Sequence, residues 1–419
     1  MWKEDEEFDR LIDHAGLASG RDLFRPEAAK RMGVPSFSFA ETDFRIPAHM
    51  QRAFHTLIDR GFCGYTVAED ETYLRAIVDW MRVRRGWEVR TEWILPVYGV
   101  LRTMSMAVRA FSCPGEGVLL FSPGYTAYEG LITKNGRRIV RIPLHEEAGR
   151  FLPNFSMLEA QMRRAENTML FLCNAHNPTM QVWPQALLEQ IAAWAAAYGV
   201  FVVVDETFAD LCFPKTPMTN YGQIAAAEDN CLVIQAISKA FNVTGLNAAN
   251  AILPGAAARE RFRQTFLAEQ RGSGSIEPFV RTAILAGYSP EGAAWLERLF
   301  IYVRQNMDLV RRFFGEVLPQ VRLFPCDCAY LVWTDWRALG LSDAELECFL
   351  FDEAVFCVDM GQKYGPEGSG FARIHLGTSH KNLLDGLLRL QAAAHARGFC
   401  AAEPFSADGI FLQGSQKKD

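Results

Sequence analysis

Short uninterrupted apolar runs alternate with amphipathic stretches through the middle of the chain, from about residue 90 to 255. The runs are VLLF at 118–121, MLFLC at 169–173, FVVV at 201–204 and LVIQAI at 232–237. They lack alternating polar positions, the pattern of strands buried on both faces, and they predict a mostly parallel sheet covered by helices. Between the second and third runs, Leu187, Ile191, Trp194 or Ala195 and Tyr198 recur on one helical face. Pro184 suits the start of that helix and Gly199 its end. After about residue 290 the period changes: Leu299, Tyr302, Val303, Met307, Val310 and Phe314 predict one long helix over roughly Gly292 to Val317. Beyond it, LVW at 331–333, a helix from about Ser342 to Asp352 with Ser342 as its cap, and FARIHL at 371–376 predict a small α+β unit.

Composition narrows the function classes. The 419 residues carry 43 Lys plus Arg against 49 Asp plus Glu, a formal net charge of −6, which suggests no basic face for nucleic acid. Hydrophobic residues make 49% and charged residues 22%, the usage of a globular chain able to bury large cores. The longest uncharged apolar stretch, Ile191 to Val204, is shorter than the roughly 20 residues of a membrane helix and is divided by Gly199, so no bilayer span is expected. The N-terminus is acidic where a signal peptide would be basic, and ten scattered cysteines read as thiols of a reducing compartment; the expected location is the cytoplasm. Cys326 and Cys328 have no second pair at zinc spacing, so no metal site is expected.

In open α/β sheets ligands sit beyond the carboxyl ends of the strands. VLLF runs into Ser122-Pro-Gly-Tyr125, MLFLC into Asn174-Ala-His-Asn-Pro-Thr179, FVVV into Asp205-Glu206, and LVIQAI into Ser238-Lys239. A single lysine or aspartate at a strand end is usually solvated, and Asn-Pro is a common turn. An aromatic, an amide, a carboxylate and an amine at four successive strand ends point instead to one shared crevice.

These stretches, with FDRLID, AETDF, GYT at 64–66, NAHNPT, DETFADL, SKAFNVTGLNA, RALGLSDAELE and GPEGSGFARIHLG, resemble the fold-type I, pyridoxal phosphate (PLP)-dependent aminotransferase family of class I/II. The likeness runs from about Phe8 to Ala394 and is nearest to the cystathionine β-lyase, or carbon-sulfur β-lyase, branch. The resemblance implies a large α/β domain over 56–290, with a mostly parallel sheet of the seven-stranded type between helices, and a smaller α+β domain over 291–402. Residues 1–55 would pack with the small domain, and 403–419 would be a frayed tail. By the same resemblance Lys239 would be the catalytic lysine that binds PLP as an imine, and Asp205 would pair with the pyridine nitrogen. Asn177 would bond the phenolic oxygen, Tyr125 would stack on the ring, and Arg373, with Asn177, would bind the substrate. Gly99, Val100 and Leu101 would form the phosphate cup, and Ser238 would also bind the cofactor. Tyr65 would reach the phosphate of a neighbouring subunit, which implies a homodimer with shared active sites and a small amino acid as substrate.

The residue types suit that chemistry on their own terms. An imine needs an amine that loses its proton near neutral pH, which a desolvated lysine can do. A buried carboxylate keeps a pyridine nitrogen protonated. Guanidinium grips carboxylate bidentately. His176 is expected to pack beside the pocket rather than act as a base, and Glu206, on the opposite side of the strand from Asp205, to be structural.

The chain also departs from the family pattern. Ala175 and Met180 replace a proline and a glycine, which is expected to change the pocket's shape, and Cys328-Ala329 replaces Gly-Thr before Tyr330, which points to an unusual substrate. Phe208 stands where many members place a hydrogen-bond donor. Ala236 and Asn247 remove two phosphate contacts, and Arg102, in the first turn of a helix where a cation opposes the dipole, is a candidate to replace them. The expected activity is β-elimination from a cysteine S-conjugate or a cystathionine-like amino acid, giving thiol, pyruvate and ammonia. The alternatives are an aminotransferase using the same residues and a PLP-binding protein with mainly a regulatory partner role.

Overall fold

The four apolar runs lie side by side. A computed structural model describes residues 7–14, 16–23, 25–67, 70–270, 275–401, 403 and 405–407. In it, β1 (Ile94–Tyr98), β2 (Gly117–Ser122), β3 (Arg138–Glu147), β4 (Arg150–Pro153), β5 (Asn167–Cys173), β6 (Phe201–Asp205), β7 (Cys231–Gln235) and β8 (Ala248–Ile252) form one sheet in the order β1-β8-β7-β6-β5-β2-β3-β4. The strands β7, β6, β5, β2 and β3 pair in parallel, and β8 runs antiparallel to both its neighbours. The sheet has eight strands rather than the seven expected. The extra one is β4, which folds back on β3 through Ala148 and Gly149, both at positive φ (50° and 77°), the two-residue turn that matches strand twist.

Burial on both faces explains the unbroken apolar runs. Leu119, Phe121, Leu170, Leu172, Val202, Val204 and Val233 enter one core. Their alternating neighbours Val118, Leu120, Met169, Phe171, Phe201, Val203 and Leu232 enter another. The second core is closed by helices Val100–Phe111 and Ala256–Gln270. The first is closed by helix Gln185–Tyr198, which ends at Gly199 in the left-handed region (φ 71°), and by helix Pro290–Val317.

A second sheet contains β9 (Arg322–Leu323), β10 (Leu331–Asp335), β11 (Asp359–Met360) and β12 (Phe371–His375), antiparallel throughout in the order β9-β10-β12-β11. The helix capped by Ser342 spans Asp343–Cys348, with Glu345 completing a capping box, and continues as a π turn over Phe349–Glu353. Before the large sheet begins, Phe37 forms a bridge with Val358, which lays this N-terminal stretch along β11. Most of the tail lies outside the described residues, but its beginning is not frayed: Phe405 is buried edge-on against Phe313, because an aromatic there fills the gap beside the long helix. Among the described residues no helix is long and apolar enough to cross a membrane.

Directly behind the end of β6, the buried Arg85 pairs with Glu206, and its Nη1 lies 3.6 Å from Asp210. Glu206 also accepts the Tyr221 N–H at 3.0 Å, and Asp210 accepts Trp80 Nε1–H at 3.0 Å. Burial pushes the Glu206 carboxyl upward, whereas the two carboxylates keep Arg85 charged against the same burial. Arg85→Met strands both acids without a cation. Urea unfolding is expected to show a loss of about 3 to 5 kcal/mol, the scale for breaking a buried pair; an unchanged midpoint would contradict this role.

Candidate active site

Because the central strands run parallel, the segments that follow β2, β5, β6 and β7 emerge on one side of the sheet. They meet there in a cavity of about 470 Å³ whose lining includes Tyr125, Asn177, Asp205, Ser238 and Lys239. Tyr98, the last residue of β1, and Gly99 to Arg102 after it line the same space, and Phe39, Asp359, Lys363, Tyr364 and Arg373 close it from the N-terminal segment and the small sheet. The amide, carboxylate, amine and aromatic of the four strand ends thus share one cavity.

Asp205, the last residue of β6, is held by three neutral donors. Its Oδ2 accepts the Tyr128 hydroxyl at 2.6 Å, and its Oδ1 accepts the Thr207 N–H at 3.0 Å and the Thr207 hydroxyl. Burial, reinforced by Asp205 itself, raises the Tyr128 phenol far above its ordinary range, so it stays a donor. Tyr125 packs edge-on against Tyr128, with ring centroids 5.3 Å apart.

Lys239 donates from Nζ to the Ala40 carbonyl at 2.9 Å. Burial pushes its amine down to about 8, with Arg373 adding to the shift and Glu41 and Asp205 opposing it. A substantial neutral fraction is therefore present near neutral pH.

Arg373 lies directly opposite Asp359 in the β11–β12 register, and its Nη2 meets Asp359 Oδ2 at 2.6 Å. Its Nη1 donates to Asn177 Oδ1 at 2.7 Å, and Tyr364 presents its ring 5.0 Å from the guanidinium carbon. Burial opposes the charge, but Tyr364 and Asp359 outweigh it and raise the Arg373 pKa. Its Nε is buried with no hydrogen-bond partner.

At the other end, Gly99 adopts a φ of 78° and precedes helix Val100–Phe111. The first intrahelical bond runs from Thr103 N–H to Gly99 O at 3.1 Å, which leaves the N–H groups of Val100, Leu101 and Arg102 without carbonyls of a preceding turn. A Cβ at Gly99 would approach Asn247 Oδ1 to 3.3 Å in a conformation that L side chains rarely adopt. The result is a cup of backbone donors at a helix start. Arg102 is exposed, lines the cavity, and places its guanidinium carbon 5.8 Å from the centre of the Tyr98 ring.

Other expected positions fall elsewhere. Tyr65 is 89% exposed and does not line the cavity. His176 also lies outside the lining; its Nδ1 pairs with the Thr179 hydroxyl at 2.8 Å, and burial pushes its pKa down to about 3. Phe208 and Asn247 do line the cavity, whereas Ala236 does not. Ala175, Met180, Cys328 and Ala329 are buried and lie outside the lining. Sequence reasoning missed Tyr128, Thr207, Asp359, Lys363 and Tyr364. Thr207 carried a signal, since an aspartate commonly accepts the N–H two residues on; the others depend on pairing between distant strands and turns.

The family model described as aminotransferase class I and II matches residues 32–390. This chain belongs to that family. Cystathionine beta-lyase PatB of Bacillus subtilis (strain 168) is 37% identical over 394 residues, which cover 92% of this chain and 99% of that protein. Protein MalY of Escherichia coli (strain K12) is 27% identical over 93% of this chain and 99% of its own. Among solved structures, cystalysin from Treponema denticola, whose crystal structure contains a pyridoxal 5'-phosphate cofactor, superposes with a TM-score of 0.88 at 27% identity. It covers 94% of this chain and 100% of its own. In this class I and II family member, the matched span carries Lys239, Asp205, Asp359 and Arg373 of the cavity within one continuous likeness.

Only a neutral amine attacks an aldehyde, so the lowered Lys239 pKa sets a pH dependence. In cofactor-free protein, reductive methylation of Lys239 is expected to rise through a midpoint near pH 8. Surface lysines should follow a midpoint near about 10.4. Peptide mass spectrometry after competitive labelling separates them, and a Lys239 midpoint equal to that of surface lysines would refute the burial argument.

Proposed function

We propose that this chain is a PLP-dependent carbon-sulfur β-lyase acting on a cysteine S-conjugate or cystathionine-like amino acid. The observation that carries the reading is one cavity lined by a buried amine of lowered pKa, a buried carboxylate and a buried guanidinium with an unpartnered Nε. The choice of lyase over transferase rests on the 37% identical relative, whose name is that of a lyase.

The donor set fits PLP. The cup at Gly99, Val100 and Leu101, with Ser238 and Arg102, would hold a phosphate. Asp205 would keep the proton on a pyridine nitrogen, Asn177 would face the phenolic oxygen, Tyr125 would cover the ring and Lys239 would meet the aldehyde. When bound, PLP supplies an electrophilic carbon and a sink for electrons released at the substrate Cα. Arg373 binds the α-carboxylate through its guanidinium and fixes the amino acid so that its Cα–H lies in reach of Lys239. The neutral Lys239 amine takes that proton, and thiolate leaves from Cβ. Tyr128 and Thr207 hold the Asp205 carboxylate in place throughout.

A homodimer completes the proposal. Ile58, Phe62, Tyr65 and Val67 expose apolar surface within one short stretch, the stretch expected to meet a second copy. All ten cysteines are unpaired, which supports the cytoplasm as the location.

The test is incubation of the PLP-loaded protein with L-cystathionine or an S-alkylcysteine. Pyruvate, ammonia and thiol are expected without any 2-oxo acid, and Lys239→Ala should abolish their release. Product that forms only when a 2-oxo acid is supplied would make the protein an aminotransferase.

A further inference from the structure

A second cavity of about 310 Å³ lies between the N-terminal segment and the small sheet. Phe39, Asp359 and Lys363 line both it and the main cavity, so the two share a wall. That wall is fixed in place. Asp359 Oδ2 accepts both the Arg373 guanidinium at 2.6 Å and the Phe39 N–H at 3.0 Å. Phe39 itself has a φ of 67°, a conformation that bulky residues adopt only under constraint. The turn Gly361–Tyr364 carries Lys363. Tyr364 O accepts the Gly124 N–H at 2.7 Å, and a Cβ on Gly361 would collide with the Gly368 carbonyl.

From this rigid turn Lys363 presents an ammonium that makes no hydrogen bond or ion pair among the described residues. A lysine at a surface is ordinarily a solvated charge. Lys363 differs because two cavities abut it and because the other charges of the wall, Asp359 and Arg373, already pair with each other. The wall therefore keeps one positive charge in excess. The rest of the side cavity is mixed: Pro26, Phe39, Phe351 and Val358 are apolar, and Ser38 and Cys357 stand among them. A cation without a charged partner beside partly apolar walls suits a short aliphatic chain that ends in an anion.

An α-carboxylate held by Arg373 sits one hydrogen bond from Asp359, and hence beside this wall. We propose that the sulfur substituent of the substrate runs toward this wall and that Lys363, which lines the main cavity, pairs with a carboxylate on it, which makes acidic S-conjugates of cysteine the preferred class. The assignment rests on the carbon-sulfur lyase reading for its substrate, but its test is a binding ratio.

S-(2-carboxyethyl)-L-cysteine and S-propyl-L-cysteine differ chiefly in the terminal carboxylate. Each is titrated into the PLP-loaded protein, and binding is read from the initial change in visible absorbance by stopped flow. Wild type is expected to bind the acid about tenfold more tightly, the scale of one charge-assisted hydrogen bond. The ratio should fall to about one in Lys363→Met and survive in Lys363→Arg. A wild-type ratio near one, or a ratio that Lys363→Met leaves unchanged, would overturn the proposal. Pyruvate release in the same samples reports separately on the lyase reading: a retained binding preference without pyruvate would refute that reading and leave the Lys363 contact standing.

Discussion

Every residue of β2, β6 and β7 is buried. A strand covered on both faces has no position along its length where a charged group can stand without a heavy desolvation penalty. Reactive side chains are therefore confined to where strands stop, and parallel pairing makes the central strands stop on the same side. Asp205 is the last residue of its strand, Lys239 follows β7 by four residues, and Asn177 follows β5 by four. The gathering of amine, amide and acid follows from the way the sheet is buried.

The cavity also separates two kinds of cation by how they answer burial. Lysine gives up its proton when desolvated, and Lys239 moves into the neutral range. Arginine does not, and Arg373 stays charged because Asp359, its partner across the strands, and the ring of Tyr364 compensate its burial. One cavity thus holds an amine that can lose its proton and a guanidinium that keeps its charge, from groups of the same formal charge. The acids divide likewise: Asp205 faces the cavity among neutral donors, whereas Glu206, one residue on, turns away to Arg85.

Much of this was legible because burial leaves a mark in local sequence. VLLF, MLFLC and FVVV each lie on a strand, LVIQAI does so as far as Gln235, and the helix between Pro184 and Gly199 has the bounds those residues signal. The strand β8, AANAI, was not legible: its small residues carry no β preference, and its place is set by pairing with β1 and β7. The eighth strand was missed because a two-residue turn at Ala148 lacks the usual asparagine or aspartate. Asp359 and Lys363 were missed for a different reason. Their meaning comes from a register with Arg373 and a turn packed against Gly124, neither of which any local pattern encodes.

The central claim is that the buried amine at the end of β7 is the group that carries the cofactor. Two lysines line the cavity, Lys239 and Lys363, and they differ in the burial of the amine. Borohydride reduction of the PLP-loaded protein, followed by peptide mapping, discriminates between them directly. The account predicts the pyridoxyl group on Lys239; its recovery on Lys363 or any other lysine would contradict it.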